Sequence, residues 1–315
     1  MKLLVYRLKK ALGDYRVGAF VEERVIDLNE AYRQLLLHQG EIDLVRNINS
    51  LLPTNISDYY SLGEVAFERS KEAIDFTMRN GLTKGVYDKE EVELAPPIPK
   101  GSKIICVGKN YKDHVMEMKS DIPDFPVLFN KFSNAIIGAE DSIQKSVYTE
   151  KLDYEGELTI VIGKEASHVR KEEALHYILG YTIGNDISAR DLQKRTPQWL
   201  QGKSLDHSSP IGPWVVTGDE IQNPANLSIK TFVNGELRQN SNTEHLIFNI
   251  PFLIEFVSRL ITLEPGDVIL TGTPDGVGFG MEPPQYLQAG DTVKVEIEKI
   301  GTLENKVVDE KKSIR

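Results

Sequence analysis

Short apolar runs of strand length punctuate this chain, and helical spacings are few. Near the start, Leu3–Leu8 and Arg16–Val21 read as strands, and helical patterns follow at 29–37 and 63–80. IICVG (104–108) and LTIVIG (158–163) are continuous apolar runs of the buried-strand type. In IKTFVNGELRQ (229–239) the Asn234-Gly235 pair predicts a tight hairpin. Val293, Val295 and Ile297 alternate along one face of another strand. A helix is predicted after Asn249, with Pro251 in its first turn and Leu253, Phe256, Val257 and Leu260 on one face. EPGD (264–267) then turns the chain into the strand VILTG. The pattern predicts a β-rich α+β protein.

A charged stretch, DKEEVEL (88–94), runs into APPIPKG (95–101), whose three prolines favour extended chain. We place a small N-terminal α/β domain at 1–95 and a catalytic domain at 103–315. The N-terminal part carries no chemical motif and reads as a packing or dimerisation appendage.

Composition narrows the function. Asp and Glu number 47 against 37 Lys and Arg, a formal charge of −10, which repels nucleic acid phosphates and anionic lipid. No run approaches the ~20 apolar residues of a membrane span, and MKLLVYRLKK lacks the apolar length and cleavage site of a signal peptide. The single cysteine, Cys106, excludes an intramolecular disulfide and a Cys-based zinc site, and a reducing cytoplasm is the expected location. Cys106 lies in an apolar strand and reads as inert.

The sharpest chemistry lies in LDYEGELTIVIG. Glu155 and Glu157 are two apart at a strand start, so both side chains point to one face, where they repel unless protonated or bridged by a cation. Taken alone, that spacing fits a solvated strand edge. Asp186, where YILGYTIGND leaves its strand, adds a third carboxylate. Three oxygen donors without His or Cys suit Mg²⁺ or Mn²⁺ better than Zn²⁺ and leave positions open for substrate.

These residues lie in a chain that resembles the fumarylacetoacetate hydrolase superfamily over about 103–305. The resemblance rests on VGKNYKDHVMEM (107–118), LDYEGELTIVIGKEA (152–166), GYTIGNDISARDLQKR (180–195), GKSLDHSSPIGPWVV (202–216), VNGELRQ (233–239) and ITLEPGDVILTGTPDGVGFG (261–280). It implies Glu155, Glu157 and Asp186 as metal ligands, a mixed β-roll with a lid around 111–124, and a homodimer. It also implies His114 and Glu117 as an acid–base pair. That spacing looks like the acylpyruvase and oxaloacetate decarboxylase branch rather than the hydrolase that names the family. Spacing alone leaves the two residues as a helical surface pair.

Lys203 lacks the upstream glycine of a phosphate-binding loop; the family pattern implies a cation at the enolate side of the substrate. Arg190 and Gln193 are expected as substrate contacts, Arg190 at a distal carboxylate, and Thr273 as part of an anion-binding turn. GVGFG (276–280) has the wrong spacing for a dinucleotide loop, and His207 and His245 read as structural. The expected function is C–C bond cleavage next to the keto group of a small 2-oxo acid, such as oxaloacetate decarboxylation or acylpyruvate hydrolysis, through a metal-held enolate. One alternative is isomerisation of a 2-hydroxyhepta-2,4-diene-1,7-dioate or carboxymethyl-hydroxymuconate type of acid. Another is a non-catalytic interaction protein on the same fold.

Overall fold

A computed structural model describes residues 1–11 and 13–310; the last five residues of the expected 103–315 segment lie outside the described residues. The protein is a β-rich α+β structure built around a mixed twelve-stranded sheet. Its main path runs from Val86–Asp88 through Arg24–Asp27, Arg16–Val21, Lys2–Leu8, Ser209–Thr217, Ile178–Asn185, Gly156–Ile162, Val268–Leu270 and Ile104–Gly108 to Val127–Lys131. Val268–Leu270 runs parallel to Ile104–Gly108, and its other neighbour, Gly156–Ile162, is antiparallel. A five-stranded sheet packs beside it, in the order Glu236–Asn242, Ser228–Val233, Thr292–Ile297, Gly301–Asp309, Ile143–Lys145. Leu152–Asp153 pairs separately with Ser188–Ala189.

The near-continuous apolar run of the Gly156–Ile162 strand has a physical cause. Every residue of it is buried, because both faces of the sheet are covered. Leu158, Ile160 and Ile162 enter one core cluster and Val161 enters the other, as period two requires.

The residues before 95 and those after 103 share this sheet. Lys2 and Leu3 pair with Val216 and Val215, and Leu3, Val17 and Leu28 pack in one core cluster with Ile104, Cys106 and Val161. Helix Leu28–Gln39 starts where the Asp27 carboxylate accepts the Glu30 N–H, and it ends at Gly40 in the left-handed region. Helix Glu64–Arg79 matches the expected pattern, while Ile42–Arg46, Ile48–Leu51 and Ile56–Ser61 are too short to show a period.

Asn234 and Gly235 take φ of 52° and 82°, the left-handed pair that a two-residue hairpin demands. Helix Ile250–Leu260 is capped by the Asn249 side chain on the Phe252 N–H. Its buried stripe is Ile250, Leu253, Ile254 and Val257, which corrects the expected face. Leu260 is 64% exposed, because the stripe starts at Ile250 and the last turn falls past the packed surface. No helix among the described residues is long and apolar enough to cross a membrane.

Candidate metal centre and active site

Glu155, Glu157 and Asp186 meet where two central strands run side by side. Gly156 pairs with Asn185 and Glu157 with Gly184, so the carboxylates of one strand stand beside the end of the next. The Glu155 N–H donates to Asn185 Oδ1 at 3.0 Å, and the Asp186 N–H donates to the Glu155 carbonyl at 2.8 Å. A Cβ on Gly156 would meet the Thr231 hydroxyl and would lie 3.0 Å from Val295, so the glycine lets the second sheet pack against the back of the site. One oxygen from each of the three carboxylates lies within 4.8 Å of the others, and all three residues are buried.

The cations around the triad are also buried. Lys203 Nζ donates to Glu155 Oε2 at 2.7 Å and to Asp186 Oδ2 at 2.6 Å, and it lies 4.8 Å from the centre of the Phe129 ring. Lys131 Nζ donates to Asp186 Oδ1 at 2.6 Å and to the Ile187 carbonyl at 3.0 Å. Arg190 Nη1 lies 2.6 Å from Glu155 Oε1, and its Nε donates to Asp153 Oδ2 at 2.8 Å. Asp153 also accepts the N–H groups of Gly278 and Phe279.

This arrangement splits the two glutamates. Burial alone raises the Glu155 carboxyl, but Lys203 and then Arg190 hold it well below the usual carboxylate range. Glu157 is pushed well above that range, first by burial and then by the charges of Asp186 and Glu155. It keeps one strong donor, the Gly272 N–H at 2.7 Å. A buried all-oxygen donor set with surplus negative charge fits a hard divalent cation.

The triad borders a cavity of about 210 Å³. That is below the ~300–1,000 Å³ of drug-sized ligand sites, so it suits a small acid and not a dinucleotide. All the site residues expected from sequence line it except Glu117. Glu117 stands just behind. Its Oε2 lies 3.2 Å from His114 Nδ1, and its Oε1 accepts the Gly276 N–H at 2.9 Å. Both residues ride on the short helix Lys112–Glu117, followed by a segment without regular structure to Val127, where the lid was expected.

Thr273 and Gln193 reach the cavity already engaged. The Thr273 hydroxyl donates to the Gly156 carbonyl and accepts from Gln239, and Gln193 Oε1 accepts from Arg190. His207 and His245 are exposed and lie outside the cavity lining. Cys106 is buried, and burial raises its thiol well above the ordinary value. Sequence reasoning missed Lys131 and Asp153. Asp153 had a signal, since it continues the two-residue spacing of Glu155 and Glu157; Lys131, at the end of VLFNK, had none.

Comparison with known proteins places the site in context. The family model for the fumarylacetoacetate (FAA) hydrolase C-terminal domain matches residues 103–308. The oxaloacetate tautomerase YisK of Bacillus subtilis is 42% identical over 311 residues, covering 95% of this chain and 100% of that protein. Among solved structures, a 5-carboxymethyl-2-hydroxymuconate delta-isomerase from Mycobacterium smegmatis has a TM-score of 0.73 at 33% identity, covering 98% of this chain and 100% of that one. A maleylpyruvate hydrolase from Sphingobium sp. SYK-6, solved with manganese(II) and pyruvate, has a TM-score of 0.75 at 27% identity, covering 99% and 100%.

Proposed function

Because the chain belongs to the fumarylacetoacetate hydrolase family, we propose that it moves a proton at the carbon beside the keto group of a small oxaloacetate-like 2-oxo acid, with Mg²⁺ or Mn²⁺ as cofactor. The observation that carries this reading is His114, held by Glu117 and facing the same cavity as the buried carboxylate triad. Glu155, Glu157 and Asp186 would hold the cation through carboxylate oxygens. A cation held there would supply Lewis acidity at the 2-oxo acid end of the substrate.

The chain's own groups do the rest. With a proton on Nδ1, His114 donates to Glu117 and presents its Nε2 lone pair to the cavity. In the keto-to-enol direction that nitrogen takes a proton from C3. The C–H electron pair becomes the C2–C3 double bond, the former carbonyl pair moves to oxygen, and that oxygen takes a proton from solvent while His114 returns its own to solvent. The Gly276 N–H keeps the Glu117 carboxylate from turning away. Lys203 offsets the charge that develops on oxygen.

The name of the Bacillus subtilis relative and the isomerase likeness support proton transfer as the net reaction. The maleylpyruvate hydrolase likeness favours the C–C cleavage expected from sequence as a second reading. One assay separates them: enol absorbance of oxaloacetate is followed while pyruvate is measured in the same sample. We expect enol loss to outrun pyruvate formation and to stop with chelator. Pyruvate rising in step with enol loss would make cleavage the function. His114→Ala should lose about 100-fold or more in turnover and still bind Mn²⁺.

A further inference from the structure

The cations at the cavity differ in what they already hold. Lys203 is engaged by Glu155 and Asp186, and Arg190 by Asp153 and Glu155. Arg190 has one buried nitrogen left, Nη2, without a partner among the described residues. Lys109 and Lys194 also line the cavity, and among the described residues neither has a carboxylate at ion-pair distance. Lys194 is exposed, with its Nζ 3.5 Å from the centre of the Phe279 ring.

Lys109 is set differently. It lies directly after strand Ile104–Gly108, at φ 56°, and is half-buried. A side-chain-bearing residue rarely takes that backbone region, and here it follows the strand whose end carries the lid helix. Its Nζ donates to Ser120 Oγ at 2.5 Å, across the base of the segment that holds His114 and Glu117. An ammonium has three donors, so two remain for a ligand. A buried or half-buried ammonium with only a neutral partner is costly without an anion close by.

Charge counting points the same way. Asp153 and the triad carry four negative charges, Lys131, Lys203 and Arg190 carry three positive ones, and a divalent cation would leave the cluster with one positive charge. That charge offsets the carboxylate next to the keto group, and the two N–H groups of Arg190 Nη2 are donors left for it among the described residues. A second carboxylate would be left to the two lining lysines that have no carboxylate partner among the described residues, of which Lys109 is half-buried and Lys194 exposed.

We propose that Lys109 reads the distal carboxylate of a dicarboxylic 2-oxo acid, and that its hydrogen bond to Ser120 couples that recognition to the placement of the lid helix. This rests on the function proposed above and adds which end of the substrate selects it. A dianion held between the triad and Lys109 would lie in the cavity that His114 also lines. A monocarboxylate would leave the Lys109 ammonium unanswered.

The test compares oxaloacetate with acetylpyruvate, which has the same 2-oxo acid end and a methyl ketone where oxaloacetate has its second carboxylate. Enolisation kinetics are measured for wild type, Lys109→Met, Lys109→Arg and Ser120→Ala, with thermal midpoints as a folding control. We expect Lys109→Met to lower the oxaloacetate-to-acetylpyruvate ratio of kcat/KM by about tenfold or more, mainly through KM for oxaloacetate. Lys109→Arg should restore part of the ratio, and Ser120→Ala should lower it less than Lys109→Met. Equal losses on both substrates in an active enzyme overturn the assignment and leave the proposed function standing. A wild type inert toward both substrates overturns the function and this assignment together. If Lys109→Met lowers the midpoint by ~10 °C or more, Lys109→Arg decides: a ratio unchanged from wild type supports the reading, and one that falls with loss of both rates overturns it.

Discussion

At Asp186 two lysines share one carboxylate: Lys131 takes Oδ1 and Lys203 takes Oδ2. Nothing comparable stands at Glu157, whose one strong donor is a backbone N–H. The three carboxylates therefore repel across at most 4.8 Å with Glu157 the least compensated. Glu157→Gln removes that repulsion and a ligand charge at once. We expect the cation-free protein to be no less stable, by urea midpoint, while calorimetric Mn²⁺ affinity falls by about tenfold or more. Unchanged affinity would take Glu157 out of the ligand set. Glu155, Glu157 and Asp186 could be read from sequence because a two-residue spacing and a strand end are local features. Lys131 could not, since it reaches Asp186 from a strand fifty-five positions away, and its sequence shows only a lysine at the end of an apolar run. Asp153 was overlooked for another reason: it sits before the regular strand and serves Arg190, not the cation site.

The helix Lys112–Glu117 is short, and its grip on the TPDGVGFG loop is one hydrogen bond, from the Gly276 N–H to Glu117. The loop comes close enough that a Cβ on Gly280 would collide with the Glu117 carboxyl, the movable end of a side chain. Gly280→Ala should therefore push Glu117 off His114 without disturbing the core. We expect turnover to fall by about tenfold or more while the thermal midpoint changes by less than ~3 °C. A large drop in midpoint, or full activity, would mean that Glu117 is not positioned by this approach. Element existence was legible wherever the period was long enough: the strands around the site, helix Glu64–Arg79 and the Asn234-Gly235 hairpin all form where expected. The face of helix Ile250–Leu260 was not, because three overlapping apolar spacings fit IPFLIEFVSRL and packing chose the one beginning at Ile250.

Across the whole molecule, the proline-rich stretch at 95–101 looks like a linker, yet the sheet continues past it through the pairing of Lys2–Leu8 with Ser209–Thr217. Long-range pairing of this kind leaves no mark in local sequence. Phe20 stacks on Trp214 at 4.7 Å, whereas Trp199 borders the active-site cavity. Unfolding in urea, followed by tryptophan fluorescence and by far-UV circular dichroism, should give one coincident transition. Two transitions would mean that the first 95 residues fold as a unit of their own. The buried Cys106 has a practical consequence for watching the helix Lys112–Glu117. With the chain's one native thiol shielded and its thiolate disfavoured, background labelling by maleimides is slow. Met116 is 58% exposed on that helix, so a Met116→Cys variant offers a uniquely reactive handle there. A dye on that handle turns any movement of the helix into brightness or anisotropy, readable in a stopped-flow cuvette with His114, Glu117 and Cys106 left in place.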